Sequence, residues 1–134
     1  MKKKEKSLAQ LNRVVQLHFN KFIRNRDKVK DKWICISCGE EKDKIHAGHY
    51  FPVKGYPHMR FDEENVNSQC AGCNTYKAGN IQMYRRGLLK KIGPERLDAL
   101  EHRAIDGERQ SLNRDQLLKL IEIYKNKADI LFKK

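Results

Sequence analysis

No stretch of the sequence is apolar for long enough to cross a bilayer. Behind the basic start, M-K-K-K-E-K-S-L-A-Q-L-N-R-V-V, no uninterrupted hydrophobic segment follows, which argues against a secretory signal and a membrane anchor and leaves the cytosol as the expected compartment. Internal repeats, low-complexity tracts and long linkers are missing too. A solenoid or an array of modules is thereby excluded, and 134 residues read as one domain over 1–134. Acidic residues are scarce relative to basic ones, 17 Asp and Glu against 29 Lys and Arg, for a net charge of +12. Such a field draws in polyanions and speeds their capture, nucleic acid first among them. Charge by itself does not separate DNA from RNA or from an acidic membrane surface.

What is present falls into three parts. Over 1–30, Leu8, Leu11, Val14, Val15, Leu17, Phe19, Phe22 and Ile23 recur at mostly helical spacing, predicting an amphipathic helix with one broad apolar face. Its other face and its exit are basic, with Arg13, Lys21, Arg24, Arg26, Lys28 and Lys30. A solvated face and direct phosphate contact both fit that pattern. Over 31–80 the chain breaks into short segments, 33–36 and 45–51 among them, interrupted by Pro52, Gly55 and Pro57. This reads as an irregular centre organised by a metal. Over 81–134 helical patterning returns, from 81 to 92, from a Gly93-Pro94 break to about 105, and from 113 to 132. Pro94 suits a first helical turn and Asn113 a cap.

The four cysteines come as two C-x-x-C pairs, Cys35 with Cys38 and Cys70 with Cys73, separated by 31 residues. In a reducing compartment such pairs are better read as thiolate ligands than as disulfides. Four sulfurs close a tetrahedral zinc and leave no position for substrate, so the ion is expected to be structural. Unliganded buried cysteines or two redox dithiols are the alternatives. Gly39 and Gly72 are expected to supply the permissive backbone of the two knuckles. A separation of 31 exceeds the spacing of about 15–20 in a simple ribbon, so something is inserted between the knuckles.

The insert carries I-H-A-G-H-Y-F-P at 45–52 and N-V-N-S-Q-C at 65–70, and the second knuckle runs into C-N-T-Y-K at 73–77. A His at the end of a strand (His49), an Asn five residues before a C-x-x-C (Asn65) and an Asn directly after it (Asn74) resemble the HNH motif. The bracketing knuckles resemble its zinc-stabilised members, phage junction-resolving enzymes included. C-I-S-C-G at 35–39, A-G-H-Y at 47–50, R-F at 60–61, Q-C at 69–70, C-N at 73–74 and K-A-G-N at 77–80 are together similar to the NinG/Rap recombination family of lambdoid phages, over roughly 11–128. That family's additional cysteine-containing N-terminal region is not seen in this sequence.

The resemblance implies a small α+β fold: a zinc-bound ββα-metal (HNH, His-Me) finger flanked by an N-terminal helix and C-terminal helices. It implies an endonuclease of phage or prophage origin, hydrolysing phosphodiesters in branched recombination intermediates such as Holliday junctions and D-loops. A homodimer would match the paired scissile strands of a junction. The chemistry needs a deprotonated water in line with the leaving oxygen and a cation for the charge that develops there. His49 is the candidate general base, since a neutral imidazole takes a proton near pH 7. By resemblance, Asn65 braces the His49 loop and Asn74 offers its amide oxygen to the catalytic metal.

Many HNH enzymes place a ligand immediately before the base, where this sequence has Gly48. On a regular strand His46 shares the face of position 48, so His46 is expected to supply that ligand, at a position where family members have Asp. Asp43 and His58 are weaker substitutes. One imidazole and one amide oxygen suit Mg²⁺ or Mn²⁺. Arg60, Lys77, Arg85 and Arg86 either hold flanking phosphates of the DNA or are solvated charges. His18 and His102 sit in helical patterns and are given no role. Two other readings share part of the pattern. A non-catalytic zinc-ribbon module for nucleic acid leaves His49, Asn65 and Asn74 unexplained, and a general HNH nicking enzyme differs only in substrate.

Overall fold

The computed structural model describes residues 4–132, a small α+β arrangement of helices around two short antiparallel strand pairs. Lys2, Lys3, Lys133 and Lys134, part of the basic ends, lie outside the described residues.

Helix α1 (Leu8–Asp27) starts at a capping box in which the Ser7 hydroxyl accepts from the Gln10 backbone N–H and the Gln10 side chain accepts from that of Ser7. Its buried stripe is Leu11, Val15, Phe19, Phe22 and Ile23. Leu8 and Leu17, assigned to the apolar face by spacing, are instead exposed. Leu17 lies two residues from both Val15 and Phe19, which turns it about 200° around the helix from each. The stripe packs against α3 (Arg114–Phe132) in two clusters, one of Phe19, Phe22, Ile23, Val66, Tyr124 and Ala128, the other of Leu11, Val15 and Leu117. Asn113 caps α3 as its position suggests, its side chain accepting from the Gln116 N–H while the Gln116 side chain accepts in return.

Between these helices, β1 (Trp33–Ile34) pairs with β2 (Glu41–Lys42) in a hairpin that carries the first knuckle. Strand β3 (His46–His49) pairs antiparallel with β4 (Val66–Gln69), His49 opposite Val66 and Gly48 opposite Asn67. Every residue of β4 is buried, since α1 and α3 lie against Val66 while Tyr84, from the next helix along the chain, bonds Asn67. A single π-helical turn (Gly72–Tyr76) follows the strand pair. The local order is strand, strand, helical turn.

Helix α2 (Ile81–Asp106) bends at Gly93, whose φ of 83° and ψ of 168° are non-helical, and its second half starts on Pro94. Tyr84, Leu88, Leu97, Leu100 and Ala104 form a third cluster with Tyr50 and Met59. Gly87 is where α2 meets the first knuckle: a Cβ there would lie 1.8 Å from the carbonyl oxygen of Ile36. Only glycine permits that approach. The end of α1 is stitched to the same centre by polar groups. The Trp33 indole donates to the Arg24 carbonyl at 2.8 Å, Arg26 donates to the carbonyls of Glu63 and Val66, and Asp27 accepts from the Ser68 N–H. Among the described residues no helix is long and apolar enough to cross a membrane.

Candidate metal centre and active site

The two knuckles bring the sulfurs of Cys35, Cys38, Cys70 and Cys73 within 4.8 Å of one another. A tetrahedron with Zn–S bonds of about 2.3 Å has edges of about 3.8 Å, and the Cys38 and Cys70 sulfurs are 3.8 Å apart. The surroundings fit thiolates. The backbone N–H groups of Cys38 and Cys70 point at the Cys35 sulfur, that of Cys73 at Cys70, and the Asn80 amide at Cys73. Burial pushes the Cys38 thiol up to about 12 and raises that of Cys73. Burial acts on Cys35 in the same direction, but the converging N–H groups of Cys70, Cys38 and Ser37 outweigh it and bring that thiol down to about 7. Four sulfurs of this spacing could hold one zinc, which would supply a rigid cross-link between the knuckles. Gly39 has the left-handed φ, 74°, expected of a knuckle glycine. Gly72 does not: it opens the π-helical turn, and its permissiveness is not used there.

His49 closes β3, half-buried, with its Nε2 2.9 Å from the carbonyl oxygen of Arg60. A carbonyl only accepts, so Nε2 carries the proton and Nδ1 keeps its lone pair. Burial holds the imidazole below its ordinary value of 6.5, against the opposing pull of the Arg60 carbonyl. The loop after His49 is pinned by Asn65, fully buried immediately before β4. Its side-chain oxygen accepts from the Phe51 N–H, and its amide nitrogen donates to the carbonyls of Phe51 and Met59. The Tyr84 hydroxyl donates to the Gly48 carbonyl at 2.7 Å, fastening the strand from the side of α2.

His49 and Asn74 line one cleft of about 520 Å³ with Tyr50, Phe51, Tyr56 and Gly79. Asn74 follows Cys73 directly, so the sulfur cluster sets its place. Its amide nitrogen lies 3.2 Å from Nδ1 of the exposed His46. That pair limits what each partner can offer a cation. With the amide donating to Nδ1, the Asn74 oxygen is available and His46 carries its proton on Nε2. With the amide reversed, Nδ1–H donates to the oxygen and His46 offers Nε2 instead. Either way the pair supplies one neutral donor, which fits a divalent ion completed by phosphate and water oxygens. Gly48 faces inward: a Cβ would lie 2.0 Å from the side-chain oxygen of Gln69, so no side-chain ligand is accommodated at that position.

The remaining candidates are scattered. Asp43 pairs with Lys32 on the exposed surface of the hairpin. His58 lies against the carbonyls of Arg103 and Ala104 at the end of α2. The Arg60 side chain donates to Gln16 of α1 and lies over the Phe61 ring. Arg85 forks onto Glu101, which Tyr50 also engages, so its charge is already met. Lys77 is exposed at the end of the π-helical turn. Arg86 is exposed too, but it borders a different cleft from that of His49. His18 is half-buried on α1, and His102 sits between Asp98 and Asp106 on the face of α2. Sequence reasoning passed over Gln69, whose amide joins Ser37 to Gly79, and Asn67, whose amide donates to Tyr84 and whose oxygen accepts from Arg26 and Lys91. Their position inside the strand next to the second knuckle was the available signal.

A strand pair and helical turn clasped by four clustered cysteines, with helices before and after, define a small α+β protein with a zinc-knuckle type cluster. More specifically, the chain belongs to the NinG family: the family described as "Bacteriophage Lambda NinG protein" matches residues 1–134. Proteins named "Protein ninG" from Escherichia phage 933W and Enterobacteria phage VT2-Sa are each 43% identical to it over 83 residues, 61% of this chain and 40% of theirs. The protein of that name from Escherichia phage lambda is 42% identical over 83 residues, 61% of this chain and 39% of its own length. The match therefore spans about two fifths of these relatives. No solved structure matches the chain.

Proposed function

We propose that the chain is a metal-dependent DNA endonuclease of the HNH type, with a zinc-bound ββα finger, that hydrolyses phosphodiesters in branched DNA. One observation carries this reading: His49, with Nε2 committed to a carbonyl and Nδ1 free, shares a cleft with Asn74, the residue that follows a zinc-type cysteine. His49 Nδ1 takes a proton from water as the water oxygen bonds to phosphorus and the bond to the leaving oxygen breaks. Asn65 keeps the His49 loop in register by its three bonds to backbone. A Mg²⁺ or Mn²⁺ ion held by Asn74, or by His46 in its place, would stabilise the charge that develops on the phosphate and the leaving oxygen. Branched DNA as substrate, and a homodimer suited to it, rest on the family resemblance.

The test compares wild type with His49→Ala, both shown to retain zinc, on a labelled four-way junction, a D-loop and matched linear duplex with Mg²⁺ or Mn²⁺. The expected result is selective cutting of branched DNA by wild type, and binding without cutting by the variant. Equal cutting of linear duplex would point to a general nicking enzyme. A second reading, a binding module without catalysis, is favoured by the concentration of cationic side chains around a cleft other than that of His49. It becomes the better account if wild type binds every substrate and cuts none.

A further inference from the structure

A second cleft, about 780 Å³ and larger than the one that holds His49, lies elsewhere on the molecule. It runs between the first knuckle, the end of α1 and the first half of α2, and none of its lining residues borders the His49 cleft. Four cations line it, Arg26, Arg86, Lys90 and Lys91, with Asp27 as the carboxylate among them. Asp27 is fully occupied, accepting from Arg26 at 2.7 Å, Lys91 at 2.9 Å and the Ser68 N–H at 3.0 Å. Arg26 and Lys91 are thereby held in the wall, both also bonded to Asn67.

Arg86 and Lys90 differ. They stand four residues apart on one exposed face of α2, and neither meets a carboxylate among the described residues. Beside them Met83 and Ile34 are partly bare, 38% and 59% exposed, and give the cleft an apolar border. Ser68 also belongs to the cleft wall, but it is 2% exposed and its hydroxyl is closed off from solvent, so it offers a ligand in the cleft no accessible group. Cys35 and Cys38 border the cleft, and their sulfurs belong to the sulfur cluster.

The geometry points to a second, non-catalytic groove that grips a DNA strand by its sugar–phosphate backbone, with Arg86 and Lys90 on phosphates and Met83 and Ile34 against the sugars. It deepens the proposed function in one respect, taking the polyanion to be a flanking strand of the DNA that is cut. An enzyme for branched DNA has to hold more than one strand segment, and two clefts without a shared residue provide for that.

Binding without divalent ions separates the groove from the chemistry. Fluorescence anisotropy with a labelled four-way junction is followed across a salt series for zinc-loaded wild type, the double variant Arg86→Ala/Lys90→Ala, and a charge-matched control, Lys119→Ala/Lys125→Ala, on exposed positions of α3. The expected result is a tenfold or greater rise in the dissociation constant for the groove variant and a salt dependence shallower by roughly 1.5, since each lost phosphate contact removes about 0.7–0.9 from the slope. The control should stay within about twofold of wild type, apart from the small effect of lowering the overall field. Equal losses in groove and control variants, or no loss in either, would overturn the proposal. Zinc content and thermal melting exclude misfolding, and Arg86→Lys should recover part of the affinity. If wild type cuts nothing yet the groove variant alone loses affinity, the endonuclease reading fails and the groove stands. If wild type cuts and the groove variant binds as tightly as wild type, the groove fails and the endonuclease reading stands.

Discussion

His49 illustrates how much one residue's surroundings decide. Burial lowers its pKa, so the fold favours the neutral ring. The unfolded chain binds that proton more readily, so the contribution of His49 to stability is whole above about 6.5 and declines as pH falls from there through the folded value. In catalysis the same shift should move the acid limb of the pH–rate profile below 6.5. A limb above 6.5 would assign the titration to another group. Asn65 offers a test by stability. Asn65→Ala strands one buried N–H and two carbonyls and should cost about 2–4 kcal/mol in urea unfolding with zinc present. A loss under 1 kcal/mol would mean that the loop finds other partners. In the His46 and Asn74 pair, one amide serves one imidazole, so replacing either residue frees the other rather than deleting both donors.

At the level of elements, the decisive contact is α2 on the first knuckle. Gly87→Ala places a methyl group where the Ile36 carbonyl already sits, and Ile36 lies between Cys35 and Cys38 of the sulfur cluster. The helix or the knuckle has to move, at about 2–3 kcal/mol. Zinc release to a colorimetric chelator should quicken in this variant; an unchanged rate would mean that α2 alone gives way. The cysteine pairs, the three helices, the Asn113 cap and the Gly93-Pro94 break were legible in the sequence because each is written in neighbouring residues. Strands β2 and β4 were not, since β4 is buried on all sides and shows no alternation of apolar and polar residues. Leu17 was misplaced because its apolar type was read as part of the stripe, although its place two residues from Val15 and Phe19 turns it to the opposite face. The groove was the least legible feature, because Asp27, Ser68 and Lys91 meet across separations of 41 and 64 residues that only the tertiary fold closes. Within the candidate site, the joint placement of His49, Asn65 and Asn74 was visible as a motif, while the Arg60 carbonyl, a backbone group, left no trace in residue type.

The whole molecule divides by what holds it. The clusters between α1 and α3 are aromatic and aliphatic, whereas Ile45 and the four cysteines form a cluster that a bound zinc would cross-link. Stripping zinc with a strong chelator should therefore expose amides of β1 to β4 and the π-helical turn to rapid hydrogen exchange while the facing stripes of α1 and α3 keep protection. Simultaneous loss everywhere would show that the finger and the helical layer form one cooperative unit.

The sulfur cluster also determines how the chain answers to being pulled. If the cluster holds zinc, tension applied at the two termini would pass from Cys35 through the metal to Cys73, bypassing everything between, including His49, Asn65 and the strand pair beside them. With zinc in place that segment adds nothing to the stretched length; once the ligands rupture, on the order of 130 Å of contour becomes available. In an optical trap His49 and Asn65 would thus lie in a slack loop, with Asn74 just outside it, released as one step whose size reads out the position of the staple.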